Sequence, residues 1–306
     1  MRLRVESGIE IGADAPARLV EQLRADLTFD NPAYVDAVRA KRSTTSIESR
    51  IELMVPAPSG AVRVPRGAIG RIRELARAQG VALDVDDRRT APPLAVPIAP
   101  VTGLRDYQVE AIAKLKARTQ GMALIACGGG KTRVGVGAIA ALGVRALVLV
   151  GSVDLAEQWK GAIAEQLGRV AAAPSDDGDI RVALVQGLFR WPETRLRAWL
   201  ATFGLLVVDE AHHVAARVLR EIVDRSPAKY RLGLTATPER EDGLTPMLGW
   251  MFGPTLVDVA HADLVARGLL VRPTVRVVAT EFEYAYERPA DFGPMMDALV
   301  SDEDRN

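Results

Sequence analysis

From residue 101 onward, short apolar runs alternate with helical patterns along the chain. The runs "MALIA", "RALVLV", "IRVALV", "GLLVVDE" and "YRLGLTAT" each predict a strand, and a helical pattern separates each run from the next. Strands of almost unbroken apolar character are typical of a parallel sheet that is buried on both faces, with helices as its crossovers. The sequence therefore predicts an α/β domain with a mostly parallel sheet.

The region before residue 91 has a different pattern. Short β-like runs such as "IELMVP" surround one helical stretch, "RGAIGRIRELARAQG", which predicts a small α+β domain over residues 1–90. The next stretch, "APPLAVPIAP" at 91–100, contains four prolines. Because Pro-rich segments are semi-rigid spacers, we predict a linker there and place the α/β domain at 101–268.

Composition excludes several classes of protein. The 306 residues include 39 basic and 39 acidic side chains, so no global charge attracts nucleic acid or an anionic membrane. The single cysteine, Cys127, excludes an intrachain disulfide and a Cys-based zinc site. The first residues contain no apolar core of signal-peptide length, and Arg145 interrupts the most apolar stretch, 134–151. We therefore expect a cytoplasmic protein with no membrane partner.

The stretch "ACGGGKT", 126–132, lies between a predicted strand and a predicted helix. Three of its residues offer backbone N–H groups that can surround phosphate oxygens at a helix N-terminus: Gly128, Gly129 and Gly130. Lys131 would reach the β- and γ-phosphates of a nucleotide, and Thr132 would bind Mg²⁺. Ile125 stands where the Walker A pattern has its first glycine. The alternative is a glycine-rich turn followed by a chance Lys-Thr pair.

The run "LLVVDEAHH", 205–213, ends a predicted strand in two carboxylates, the arrangement of a Walker B motif. Asp209 would hold Mg²⁺, and Glu210 would orient and deprotonate the attacking water. A lone Asp-Glu pair at a strand end could instead cap a helix, but the glycine loop favours the catalytic interpretation. In "LGLTATPEREDG", the hydroxyl groups of Thr235 and Thr237 can couple the γ-phosphate to movement elsewhere.

These three motifs, in this order and spacing, resemble motifs I, II and III of superfamily 2 helicases, which commonly lack the first Walker A glycine. The stretches "CGGGK", "DEAHH" and "GLTATPEREDG" resemble in particular the XPB/UvsW-like group of DNA helicases and translocases. The resemblance covers roughly residues 101–306. It implies a RecA-like P-loop NTPase domain that binds ATP and Mg²⁺ and acts on single- or double-stranded DNA.

The same resemblance implies roles for residues outside the Walker motifs. In "LRDYQ", Gln108 would read the adenine edge with Arg105 nearby, although Asp106 replaces the usual proline. His212 would act in catalysis by coupling the nucleotide to motif III or to a partner domain.

The implied DNA contacts lie in three further motifs. Ser152 belongs to a motif Ia-like stretch, and Gln186 to a motif Ib-like stretch in which Gly187 replaces a common serine. The RED motif of XPB-like proteins, implicated in DNA handling, is matched by Arg240, Glu241 and Asp242.

The N-terminal region contains the one basic concentration in the chain. Between Arg39 and Arg77 there are nine basic and three acidic residues, a local net charge of +6 (nine minus three). XPB/UvsW-like proteins often carry a small N-terminal DNA-binding or damage-recognition domain, so the resemblance favours DNA contacts here. The predicted DNA-binding residues are Arg39, Arg42, Arg63, Arg66 and Arg73. The alternative is a solvated appendage with ordinary surface charge.

Members of this family have a second RecA-like domain that carries motifs IV to VI and an arginine finger. Residues 269–306 resemble the passage towards that domain, which implies a piece of a longer protein or half of a split one. The resemblance predicts the ATP-binding half of an ATP-dependent DNA helicase or translocase. Alternatives are a duplex translocase of a restriction or phage-defence system, and a nucleotide-dependent DNA-binding module that does not hydrolyse ATP alone. RNA stays open as a substrate.

Overall fold

The computed structural model describes residues 1–174, 178–215, 217–237, 243–272, 282–288 and 291–301. The chain forms two compact units, Met1–Leu270 and Val271–Asn306. The first unit contains the N-terminal region and the α/β region, and the second contains a helix at Phe292–Val300. No helix among the described residues is long and apolar enough to span a membrane.

The N-terminal region has the α+β character that the sequence predicts. Its elements are β1 (Arg2–Val5), β2 (Ile9–Ile11), α1 (Ala17–Asp26), β3 (Thr28–Asp30), α2 (Pro32–Arg39), β4 (Arg50–Glu52), β5 (Val55–Pro56), β6 (Val62–Val64), α3 (Ile69–Ala78) and β7 (Asp84–Asp87). Five strands form one sheet in the order β5-β6-β2-β1-β7, and β3 pairs with β4. Along β1, Leu3 and Val5 are buried while Arg2 and Arg4 are exposed, the alternation expected of a strand with one covered face.

The α/β region confirms the predicted parallel sheet. Its elements are α4 (Asp106–Arg118), β8 (Gln120–Ile125), α5 (Lys131–Leu142), β9 (Ala146–Val150), α6 (Val153–Leu167), β10 (Ile180–Leu184), α7 (Val185–Phe189), α8 (Glu193–Leu200), β11 (Leu205–Asp209), α9 (Arg217–Arg225), β12 (Tyr230–Thr235), α10 (Thr245–Phe252), β13 (Thr255–Val259) and α11 (His261–Ala266). The strand order is β10-β9-β11-β12-β8-β13. Every pair in it is parallel.

The two faces of this sheet belong to different hydrophobic cores. In β11, Leu206 and Val208 join a core shared with Leu3 and Ile72 of the N-terminal region. The alternating residues Leu205 and Val207 join a second core on the opposite face. The N-terminal region therefore helps to cover one face of the doubly covered sheet that the sequence predicts.

Buried arginines join the N-terminal region to the α/β region. Arg66 donates to the side chain of Gln120 at 3.2 Å and to the backbone carbonyls of Ala228 and Lys229. In the other direction, Arg231 donates to the carbonyl of Ser7 at 3.0 Å. Burial lowers the pKa of Arg231 to about 10, so its guanidinium remains charged at neutral pH. A buried charge needs such partners, so these hydrogen bonds specify how the two regions pack together.

The proline-rich segment 91–100 is hydrogen-bonded to the α/β region. Leu94 is buried, and its backbone N–H donates to the carbonyl of Gly143 at 3.0 Å. The neighbouring Ala95 donates its N–H to the Asp179 carboxylate at 2.7 Å. These bonds hold the predicted linker against the surface, and its exact bounds stay a prediction.

Candidate nucleotide and nucleic-acid site

The parallel sheet brings the sequence motifs to one edge. The strands β8, β11 and β12 are neighbours through β12, and each ends just before or within a motif. The carboxyl ends of parallel strands meet at one edge of the sheet, where ligands of open α/β folds bind. Residues far apart in the chain, such as Lys131 and Glu210, therefore come together there.

The glycine loop has the backbone conformation that a phosphate cradle requires. Gly128 and Gly130 have φ angles of +78° and +83°, in the left-handed region that favours glycine. Gly130 is also the N-cap of α5, which begins at Lys131. The first N–H groups of a helix have no partner within it, so those at the start of α5 can receive phosphate oxygens. The Gly129 N–H instead donates to the Ala126 carbonyl at 3.0 Å.

The Walker lysine and glutamate are in direct contact. The Lys131 Nζ atom lies 3.3 Å from Glu210 Oε1. Glu210 itself has φ +50°, a left-handed conformation that a residue with a Cβ rarely adopts. Such strain is typical of functional sites and costs of order 1–3 kcal/mol. The backbone at Glu210 thus holds an unfavourable conformation next to the glycine-loop lysine.

Asp209, the residue before Glu210, is the last residue of β11 and is buried. Its Oδ1 atom accepts the Glu210 backbone N–H at 2.9 Å, and its Oδ2 atom accepts the indole N–H of Trp159 at 2.8 Å. Burial raises the pKa of the Asp209 carboxyl, and the hydrogen bonds from Trp159 and Glu210 oppose that rise. The sequence reasoning did not identify Trp159, because nothing in the spacing indicates this contact.

His212 and the motif III threonines also meet. The His212 Nδ1 atom and the Thr235 hydroxyl are 2.9 Å apart in a hydrogen bond, and Nδ1 lies 3.4 Å from Glu210 Oε2. Thr235 is fully buried and donates to the carbonyl of Thr237 at 3.2 Å. A chain of contacts therefore runs from the Walker glutamate to the motif III turn, and the coupling role stays a prediction.

Gln108 contacts the glycine loop directly. It is buried, and its Nε2 atom donates to the carbonyl of Gly129 at 3.2 Å, while its Oε1 atom accepts the Arg105 N–H at 2.9 Å. The Tyr107 hydroxyl donates to the same Gly129 carbonyl at 2.6 Å. Sequence reasoning missed Tyr107, which helps to brace the loop. Adenine recognition by Gln108 and Arg105 stays a prediction.

Asp106, which stands where the resembled "LRDYQ"-type motif usually has proline, makes contacts through a carboxylate that proline lacks. Its carboxylate accepts a hydrogen bond from Arg267 at 2.8 Å. Bonds from the Tyr107 N–H and Arg267 lower the pKa of the Asp106 carboxyl. The substitution therefore fixes the start of α4 to the end of α11.

Two predicted DNA contacts lie together at the ends of β9 and β10. Ser152 is exposed and caps α6 by accepting the Leu155 N–H at 3.3 Å. The exposed Gln186 donates to the carbonyl of Gly151 at 3.2 Å. The third predicted set, Arg240, Glu241 and Asp242, lies outside the described residues.

The structure corrects the predicted arginine set of the N-terminal region. Arg39, Arg42 and Arg73 are exposed. Arg66 is only 1% exposed, and its guanidinium is engaged by backbone carbonyls, so its prediction as a DNA contact is wrong. Arg63 is half-buried and donates to Ser7 Oγ at 2.8 Å and to the Asp224 carbonyl at 2.7 Å, which makes it a structural residue rather than a free cation.

The donor set at the sheet edge fits Mg²⁺. Thr132 lies in the first turn of α5 and is half-buried, and Asp209 offers a buried carboxylate. Mg²⁺ prefers hard oxygen ligands and is usually held by one or two carboxylates together with water and substrate phosphates. Each Asp209 oxygen accepts one protein hydrogen bond and keeps a lone pair for a cation or its water.

The sheet, the glycine loop and the acidic end of β11 together define a P-loop NTPase domain with a RecA-like sheet. Its fold is also found in a solved structure, the UvsW helicase from bacteriophage T4, with a TM-score of 0.60 and 15% identity. That similarity covers 83% of this chain and 99% of the other.

The family described as "Type III restriction enzyme, res subunit" matches residues 102–240. The protein named "DNA 3'-5' helicase XPB" from Mycobacterium tuberculosis is 32% identical over 206 residues, 61% of this chain and 37% of the relative. The protein named "DNA 3'-5' translocase XPB2" from Sulfurisphaera tokodaii is 32% identical over 168 residues, 54% of this chain and 37% of the relative.

These similarities confirm the predicted resemblance to superfamily 2 helicases of the XPB/UvsW-like group. The chain spans little more than a third of the length of these two curated relatives, 37% in each case.

Proposed function

We propose that this chain is the ATP-binding half of an ATP-dependent DNA helicase or translocase. The observation that carries the proposal is the contact between Lys131 of the glycine loop and Glu210 at the end of β11, 3.3 Å apart. It joins a phosphate-binding cation to a carboxylate that can orient water, which is the minimum that phosphoryl transfer requires from one domain.

Each residue then has a defined task in ATP hydrolysis. The N–H groups of the glycine loop and the Lys131 ammonium would bind the phosphates. Thr132 and Asp209 would hold Mg²⁺, which neutralises phosphate charge when it is bound. Glu210 would orient the attacking water and accept its proton. His212, hydrogen-bonded to Thr235, would pass a change at the γ-phosphate to motif III.

DNA is the proposed partner because relatives at 32% identity are named DNA helicase and DNA translocase. The exposed edge formed by Ser152 and Gln186 would contact the backbone of one strand. The exposed arginines of the N-terminal region would add electrostatic contacts with the DNA phosphates. We propose the cytoplasm as the location of this protein.

The arginine contribution predicts a specific salt dependence. Replacing Arg39, Arg42 and Arg73 together by Gln should weaken DNA binding and flatten its log–log salt slope, by roughly 0.9 for each phosphate that these side chains no longer neutralise. Fluorescence anisotropy with a labelled duplex across a salt series measures both quantities.

Arg18→Gln supplies the matched control, since Arg18 is an exposed arginine in α1 outside the predicted set. It should leave the slope nearly unchanged. A folded triple variant that keeps the affinity and slope of the wild type would remove the N-terminal region from the DNA interface.

A second candidate is a translocase that moves on duplex DNA without separating strands. The match to the family described as a Type III restriction enzyme res subunit, over residues 102–240, favours this alternative. A strand-displacement assay in the presence of a second RecA-like domain separates the two. Displacement of a labelled strand supports a helicase, whereas ATP-dependent removal of a bound triplex strand alone supports the translocase.

A further inference from the structure

A buried hydrogen bond connects the motif Ia helix to the carboxylate that is proposed to hold Mg²⁺. Trp159, in α6, is fully buried and donates its indole Nε1–H to Asp209 Oδ2 at 2.8 Å. The other carboxylate oxygen, Oδ1, accepts the Glu210 backbone N–H at 2.9 Å. With one donor on each oxygen, rotation of the carboxylate about its Cβ–Cγ bond is restricted.

The indole ring is itself fixed by the helix that follows the glycine loop. Gly135 lies one turn after Lys131 in α5, and a Cβ atom at Gly135 would overlap Cη2 of Trp159. The same Cβ position is 3.0 Å from Trp159 Cζ3 and 3.5 Å from Leu234 Cδ1, in the neighbouring strand β12. A glycine is therefore required at this point for the ring to reach Asp209.

The acceptor distinguishes this tryptophan from an ordinary core residue. A buried indole N–H needs a hydrogen-bond partner, and a backbone carbonyl usually supplies one. Here the partner is the carboxylate that ends β11, at the centre of the proposed site. Groups that hydrogen-bond a metal-binding carboxylate set its orientation, and their loss typically weakens metal affinity by about 10–100-fold.

We propose that Trp159 is a positioning residue that holds the Asp209 carboxylate in the orientation required for Mg²⁺, and that Gly135 is the space that admits it. This inference rests on the proposed function, because it concerns the same nucleotide site. It adds a residue from motif Ia to the metal-binding machinery and assigns a role to a glycine outside the glycine loop.

Trp159→Phe tests the inference, because phenylalanine keeps an aromatic ring and removes the N–H donor. The measurement is the binding of a fluorescent ADP analogue, first in EDTA and then across a Mg²⁺ titration. We expect metal-free affinity to be unchanged and the Mg²⁺ concentration for half-maximal effect to rise about tenfold or more. A residue that only fills the core would change folding stability and leave this Mg²⁺ concentration unchanged.

Gly135→Ala provides a second variant, which keeps the tryptophan at position 159 but displaces its ring. It should raise the Mg²⁺ requirement in the same direction. Gly161→Ala is the matched control, because Gly161 lies in α6 and a Cβ atom there would meet nothing within 4 Å. Thermal unfolding of each variant shows that the comparison is made between folded proteins.

A readout on the wild type needs no substitution. Mg²⁺ added to the ADP-bound chain should shift the indole N–H resonance of Trp159 more than those of the other three tryptophans. If Trp159→Phe and Gly135→Ala both keep the wild-type Mg²⁺ dependence, or if this resonance does not move, the positioning role is wrong. Failure of the wild type to bind ADP at all would instead overturn the proposed function, and the inference with it.

Discussion

A second RecA-like domain, fused or added in trans, is expected to raise DNA-dependent ATP hydrolysis by this chain about 10³–10⁵-fold, the usual effect of an arginine finger. The physical reason is the one-sided construction of the site. Lys131, Asp209 and Glu210 all lie at the edge of one sheet. The charge that develops on the γ-phosphate also requires a cation from the opposite side, which the resemblance assigns to the second domain.

The experiment compares steady-state hydrolysis by residues 1–306 alone and with the second RecA-like domain of an XPB-like relative, each with and without DNA. Glu210→Gln should abolish the gain, because the amide cannot accept the proton of the attacking water. Rapid DNA-stimulated turnover by residues 1–306 alone, at several events per second, would show that the site is complete without a second domain.

The second large effect concerns stability. Arg66→Met should lower the free energy of unfolding by about 3 kcal/mol, because it leaves one buried and one partly buried carbonyl without this donor, and an unpaired buried carbonyl costs about 1–3 kcal/mol. Arg66 donates to the carbonyls of Ala228 and Lys229, which belong to the α/β region. Methionine keeps much of the side-chain volume, so the decrease reflects the hydrogen bonds more than a cavity.

Urea unfolding followed by circular dichroism measures this difference. The matched control is Arg73→Met, because Arg73 is exposed in the same N-terminal region, and a change there should stay within about 0.5 kcal/mol. Two superimposable unfolding curves for the Arg66 and Arg73 variants would mean that the hydrogen bonds of Arg66 contribute nothing to stability.

Much of the fold could be predicted because its strongest signal is local. Five of the six parallel strands appear in the sequence as apolar runs of strand length. The sixth, Thr255–Val259, escaped because two of its five residues are exposed and its pattern lacks the unbroken apolar character of the others. It lies at the sheet edge, where one side needs no strand partner.

In the candidate site, too, the contacts that follow from sequence motifs could be predicted, whereas those that depend on tertiary packing could not. Lys131 and Glu210 could be paired from their motifs, because parallel topology brings strand ends together. Trp159 could not be linked to Asp209, since that contact depends on how deeply α6 packs against α5. The error at Arg66 has a related cause, because local charge does not reveal which guanidinium points inward.

Calorimetric titration of ADP with Mg²⁺ into wild type and Lys131→Ala tests the central claim most directly, because the account requires a nucleotide at the glycine loop. Hydrogen bonds to charged groups contribute about 1.5–3 kcal/mol, so the variant should bind roughly ten- to a hundredfold more weakly. Lys116→Ala, at an exposed lysine in α4, should bind like the wild type. Equal affinity of wild type and Lys131→Ala, or no binding by either, would contradict the assignment of this loop as a nucleotide site.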